Sequence, residues 1–224
     1  MAFLDRDEVS TGELIAGAFT ELSENRRAVL IYLGVFLAAE VALPLLGTAV
    51  RGLEGVLGLV VFAAYFVAQY LLYRSMLERA GYPCADRRFR IFRFFAMAVV
   101  IAMGLGIASQ FFLIPAIIVA ARWILSPCYI VATDKGVFAS LGDSWSATSG
   151  NTLSLSLAFT VMVMVFFVLF FVLSAVAGVL ESLVDAGSGA GVGLQVLPVL
   201  LMGLSVAAFR RLDRAEPALA EVFA

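Results

Sequence analysis

Two ionisable side chains, Glu40 and Arg122, fall inside long apolar runs of this chain. A charge within a bilayer is costly, so such residues normally face a partner or a cavity. Glu40 lies 6 residues before Leu46, the outer end of its run, and Arg122 lies 7 residues past Pro115. At about 1.5 Å of rise per residue, these are depths of roughly 9 and 10 Å. The two are therefore expected at one level in the outer half of the membrane, as an intramembrane pair. Gln110 and Gln195 sit near the outer ends of their own runs and are placed to satisfy leftover donors. Such a cluster either fixes helix packing or lines a polar cavity that admits a substrate or a lipid headgroup. Gln69 lies deeper in its run and is expected to cross-link helices.

Other chemistry finds few residues to work with. The chain has no histidine, which removes Ser-His catalysis and His-metal sites. Lys135 is the single lysine, and no serine stands three residues before it. Ser140-Leu141-Gly142-Asp143 only partly matches the Gly-x-Gly-Asp of intramembrane aspartyl proteases, and no second intramembrane aspartate accompanies it. Neither a P-loop nor a dinucleotide fingerprint is present. Cys84 and Cys128, without close spacing and in a reducing setting, suggest neither a disulfide nor a metal site. The expectation is a protein that is not an enzyme, with no metal and no cofactor.

The elements that must position these residues are read from hydropathy. The chain is 62% hydrophobic, against about 45–50% for soluble domains. Helices of roughly 20 apolar residues cross a bilayer core of ~30 Å. Six runs qualify, at residues 28–46, 56–73, 94–114, 116–131, 152–180 and 192–209. Each must be helical, because lone strands leave their backbone unpaired in lipid. The fold class is an all-α polytopic membrane protein with six transmembrane helices and two short cytoplasmic interfacial helices. Residues 1–27 form an N-terminal cytoplasmic segment, residues 28–209 the membrane domain and residues 210–224 a cytoplasmic tail.

Charge sets the orientation. Thirteen of the 15 basic residues fall on one side of a six-span arrangement. Arg6, Arg26 and Arg27 precede the first span. Arg74, Arg79, Arg87, Arg88, Arg90 and Arg93 surround the second connection. Lys135 follows the fourth span, and Arg210, Arg211 and Arg214 follow the sixth. The positive-inside rule puts both termini in the cytoplasm. Fusing the third and fourth runs would split the basic segments, so a tight hairpin is expected near Pro115. The first 27 residues are polar and acidic, so the first span is expected to serve as the targeting element.

Three further features could meet partners. Arg87, Arg88, Arg90 and Arg93 alternate with Phe89, Ile91, Phe92 and Phe94. Such a loop can contact anionic lipid phosphate while its aromatics sit at headgroup level, or it can act purely as a topology determinant. Nucleic acid is not expected, because the patch is short and pinned to the membrane. Residues 10–25 predict an amphipathic helix, with Ser10 and Glu13 in a capping box and an apolar stripe of Leu14, Ile15, Ala18, Phe19 and Leu22. Its polar face is acidic, which favours docking on the chain's own basic loops or on a partner over anionic lipid, with the apolar stripe at the interface; the alternative is an ordinary interfacial helix that leads into the first span. Residues 136–151 predict a second such helix, with Val137, Phe138, Leu141 and Trp145 on one side. Phe19 and Asn25 match Trp145 and Asn151 at an offset of 126, which suggests an internal repeat of interfacial helix plus hairpin. The stretch 187–193 is glycine-rich and reads as an external linker.

The stretch from Ile114 to Asn151 carries Ile114-Pro115, Arg122-Trp123, Pro127, Ile130-Val131, Gly136, Leu141, Ser144-Trp145 and Gly150-Asn151. It resembles the YciC-like bacterial inner-membrane proteins and the membrane domain attached to some glycerophosphodiester phosphodiesterases. The resemblance implies an N-terminal interfacial helix, about six spans, a short cytoplasmic helix after the fourth, and a place in the bacterial inner membrane. The family tends to carry an acid near the position of Thr133, where the nearest here is Asp134. The soluble phosphodiesterase barrel has no counterpart in this sequence, so its catalytic residues cannot be carried over. The expected function is a membrane module that interacts with lipids or scaffolds a protein partner on the cytoplasmic face. A small transporter or channel built on Glu40 and Arg122 is the alternative.

Overall fold

The computed structural model describes residues 9–49, 54–84, 90–133, 135–184 and 195–213. Every regular element among them is a helix. In chain order these are α1 (Thr11–Glu24), α2 (Arg26–Ala49), α3 (Glu54–Arg79), α4 (Arg90–Phe111), α5 (Leu113–Trp123), α6 (Ser126–Ala132), α7 (Val137–Ala147), α8 (Thr152–Val184) and α9 (Val196–Leu212). Four stretches are long and apolar enough to cross a membrane: Gly55–Arg79, Arg90–Phe111, Leu113–Ala132 and Thr152–Val176. The chain thus has the character of a helical membrane protein. Six spans would also require α2 and α9. The side chains of α2 from Glu40 to Ala49 lie outside the described residues, and α9 has 17 residues.

The packed core gathers at one end of the bundle. The buried residues of α3 (Tyr70, Leu72, Tyr73, Met76, Leu77) all belong to its C-terminal half, while Val56, Leu59, Val60 and Phe62 near its start are exposed. On α8, Leu155, Ala158, Met162 and Phe166 form a buried stripe at helical spacing. The turns beyond expose Phe167, Val168, Phe171 and Val172. Arg90, Phe94 and Met97 are the buried face of α4, again at its basic end. Water would not tolerate such apolar exposure over whole half-helices, whereas acyl chains do. At 33 residues, α8 is about 50 Å long and exceeds a ~30 Å hydrocarbon core.

At the centre of the packed end runs α9, buried continuously from Met202 to Phe209. Its main neighbour is α1, which lies antiparallel against it. Small residues permit the close approach. A Cβ on Gly203 would sit 2.8 Å from Leu22 Cγ and 3.0 Å from the Ala18 carbonyl oxygen, and one on Gly17 would sit 3.2 Å from Ala207 Cβ. Ser10 caps α1 by accepting from the Glu13 N–H at 3.3 Å. The capping box is completed on that side only, because the Glu13 carboxylate reaches Arg211 at 2.8 Å. Glu21, buried, pairs with Arg210, and the Arg79 guanidinium donates to the Glu24 carbonyl at the end of α1. The acidic face of α1 thus meets basic residues of the same chain. Its apolar stripe turns Leu14 and Ala18 into α9, while Phe19 stays 44% exposed.

A tight hairpin lies near Pro115 as expected, and the fourth run departs from expectation. The hairpin turns at Phe112, a single extended residue between α4 and α5, and Pro115 lies inside the first turn of α5. Proline is tolerated there because the first N–H groups of a helix have no intrahelical partner. The fourth run is not one helix, since it breaks at Ile124-Leu125 between α5 and α6. Pro127 explains the break: it has no N–H for the Trp123 carbonyl, and its ring crowds the preceding turn. By contrast α3 ends conventionally. Gly81 (φ 90°) occupies the left-handed position, the Tyr82 N–H reaches the Leu77 carbonyl at 3.0 Å, and the Gly81 N–H reaches that of Glu78 at 3.1 Å.

The matching asparagines occupy matching places. Asn25 joins α1 to α2 and Asn151 joins α7 to α8. Each is buried, and each carbonyl accepts the N–H four residues on, from Val29 and Leu155.

Candidate functional site

The break between α5 and α6 exposes backbone groups that an apolar interior cannot solvate. Side-chain hydroxyls from two other helices take them. Ser144 of α7 donates to the Arg122 carbonyl at 2.7 Å and accepts from the Leu125 N–H at 3.2 Å. One hydroxyl thereby uses both its donor and an acceptor lone pair. Thr148 approaches the same Arg122 carbonyl at 3.4 Å and donates to the Ser144 carbonyl at 2.7 Å. From α9, Ser205 donates to the Ile124 carbonyl at 2.6 Å. Its only proton is then committed, so the Cys128 thiol, 3.2 Å away, is the donor to the Ser205 oxygen. Tyr73 of α3 brings its hydroxyl within hydrogen-bonding reach of Ser205. Ser144, Ser205 and Cys128 are each fully buried.

Arg122 sits on the rim of this node. Its Nη1 donates to the Trp145 carbonyl at 2.9 Å, and its guanidinium carbon lies 4.6 Å from the Trp145 ring centre. That is cation–π geometry. The expected partner, Glu40, lies on α2 with its side chain outside the described residues. Gln110 is exposed on the last turn of α4. Gln195 accepts from the Tyr32 hydroxyl at 3.5 Å. Gln69 of α3, expected to cross-link helices, lies near the Tyr32 and Tyr65 hydroxyls. Gln195 and Arg122 are expected in one cluster. The structure gives each a different described neighbour.

The arginine loop separates into parts. Arg87 and Arg88 lie outside the described residues. Arg90, expected to face lipid phosphate, is instead turned inward. It is 4% exposed, and its Nη1 donates to the Val131 carbonyl at 2.7 Å near the end of α6. A buried guanidinium on a free helix-end carbonyl is a favourable use of the charge. Arg93 is partly buried one turn on. On α7, the buried face is Ser140, Leu141 and Ser144, while Phe138 and Trp145 stay 78% and 41% exposed. Of the apolar stripe expected there, Phe138 and Trp145 face outward while Leu141 and Val137 pack inward, and Ser144 beside it does the internal bonding.

Outside the spans, Cys84 is half-buried in the connection after α3. Burial, and then the Glu78 charge, push its thiol above the usual range. The Arg210 guanidinium is held protonated more firmly than usual by its hydrogen bond to Glu21.

Ser144, Thr148, Ser205 and Tyr73 went unread as site residues. Their one sequence signal was small hydroxyls in apolar segments of a chain with a proline-interrupted span. Comparison with family models, curated proteins and solved structures finds no match to this chain.

Proposed function

We propose that this chain is a non-catalytic integral membrane module with a sealed core, whose packed end is a lipid-interacting scaffold. In this reading the apolar helices span a bacterial inner membrane with both termini in the cytoplasm, α7 lies at the cytoplasmic interface, and α1 packs along α9 at the cytoplasmic end. The observation that carries it is the closure of the α5–α6 break by Ser144 and Ser205. Broken helices in transporters leave backbone groups for a substrate or ion; here hydroxyls of the same chain occupy them. The stretch resembling YciC-like proteins is the one that builds the node, and its Arg-Trp, Pro and Ser-Trp positions are read as scaffold. The string of Gln195, Tyr32, Gln69 and Tyr65 favours a transporter as the second reading, because aligned polar groups in a bundle can hydrate.

Cys128 is a natural reporter between these readings. In a Cys84→Ala background in proteoliposomes, a small charged methanethiosulfonate is added from either side. Cys128 is expected to stay unmodified by mass until detergent unfolds the protein. Modification in the folded protein, from either side, shows a hydrated route and replaces the scaffold by a transporter.

A further inference from the structure

Between α1 and α9, at the end that carries Arg210 and Arg211, lies a cleft of about 370 Å³. Gly17 and Ala207 meet at its base, and Ala16 stands exposed at its edge. Its rim is polar: Thr20 and Glu21 from α1, Arg210 and Arg211 from α9. It is an open groove, with Ala16 and Thr20 exposed along one side.

The chemistry of the rim is divided across its width. Thr20 donates its only proton to the Ala16 carbonyl at 2.9 Å, so its oxygen is left as an acceptor. Glu21 is also an acceptor, and its described contact uses one of its two carboxylate oxygens. On the opposite side, each arginine has five N–H donors, and the contacts to Glu21 and Glu13 leave donors over. Arg210 and Arg211 side chains remain 33% and 39% exposed. A lone anion gains little here, because each cation is already matched by a carboxylate. A ligand with both charges can meet both walls.

We propose that this cleft binds a zwitterion carrying an amine and a phosphate, as an aminophospholipid headgroup does, with the amine toward α1 and the phosphate toward α9. The proposal rests on the lipid-interacting reading above and names the headgroup. Phe19, three residues from Ala16 and so about 60° round the helix, is exposed beside this face for acyl contact.

The test is native mass spectrometry of the full chain in mild detergent. The probes are dihexanoyl phosphatidylethanolamine, dihexanoyl phosphatidylglycerol, phosphoethanolamine and inorganic phosphate. The phosphatidylethanolamine is expected to be retained about tenfold better than the phosphatidylglycerol or inorganic phosphate, the worth of one charge-assisted contact. Equal retention of the two lipids, or of inorganic phosphate, overturns the proposal. Phosphoethanolamine retained as well as the lipid supports the zwitterion site and assigns it to a soluble ligand. Ala16→Trp fills the cleft against Arg210 and Arg211 while keeping every charged residue, and should abolish retention. Cys128 should stay unreactive in that variant, which shows that the core is intact. Should Ala16→Trp fail that check, Thr20→Val decides. It removes the acceptor at constant shape, and unchanged retention overturns the proposal. Loss of the cleft ligand with Cys128 still silent leaves the scaffold reading standing, whereas a reactive wild-type Cys128 removes that reading by itself.

Discussion

Replacing Ser144 with alanine strands two backbone groups with one deletion. The Arg122 carbonyl loses its 2.7 Å donor and keeps only the Thr148 hydroxyl at 3.4 Å, which is already committed at 2.7 Å to the Ser144 carbonyl. The Leu125 N–H loses its acceptor at 3.2 Å. Ser144 is fully buried, so water has no access to replace the hydroxyl. A buried group left without a partner costs about 1–3 kcal/mol. Two such groups, one partly relieved and offset by about 0.5 kcal/mol of better helix propensity, give a net loss of about 2–3 kcal/mol. An ordinary interhelical hydrogen bond in a membrane protein averages only ~0.6 kcal/mol. The size of the effect therefore distinguishes a closed backbone break from a routine contact. The assay is equilibrium unfolding in mixed micelles with rising dodecyl sulfate, read by intrinsic fluorescence. The two tryptophans, Trp123 and Trp145, both adjoin the node, so the signal reports on it directly. Ser146→Ala is the control, since that exposed hydroxyl only returns to the Gly142 carbonyl of its own helix at 3.0 Å. A Ser144→Ala loss within about 0.5 kcal/mol of the control refutes the role given to Ser144.

Gly104→Ala places a methyl into the Trp123 ring and should cost about 1–3 kcal/mol by overpacking. Trp123→Leu in the same chain should recover part of that loss, and no recovery in a thermal melt counts against the contact. Arg210→Gln leaves the Glu21 carboxylate buried and unpaired, for a loss of about 1–3 kcal/mol after allowing for the partial exposure of Arg210. Arg211→Gln removes an exposed pair and should change stability by less than about 1 kcal/mol, so equal losses from the two would contradict the assigned burial. Alkylation of Cys84 should be slower than that of free cysteine at neutral pH, because the thiolate reacts and burial raises the thiol. Its rate should keep climbing at alkaline pH where free cysteine has levelled off, and a plateau at lower pH would reverse the direction inferred.

The helical membrane class was legible in the sequence, because runs of about 20 apolar residues answer to bilayer thickness and little else. Local signals also held. Ser10 caps α1, the segment after the fourth run forms α7, and the asparagines 126 residues apart sit at equivalent junctions. The acidic face of α1 predicts basic partners, and Arg210 and Arg211 supply them from the last turn of α9 and not from a loop, while Leu14 and Ala18 of the stripe are buried in the core instead of resting at the interface. Those inferences need only composition and periodicity along one element. The identity of contacts between elements is different in kind. Arg122 stood out by its cost in an apolar run, but the cost can be met by any donor-hungry group within reach of a long side chain. Nothing in spacing along the chain says that Trp145, 23 residues on, offers both a carbonyl and a ring. Likewise Pro127 stands in a run expected as one helix, and the hydroxyls that close the break it makes come from α7 and α9, the latter 81 residues away from the carbonyl it serves. Serines in apolar helices are unremarkable one at a time. Packing alone decides which of them meets a broken backbone, and that is where the tertiary structure, and not the sequence, assigned the site.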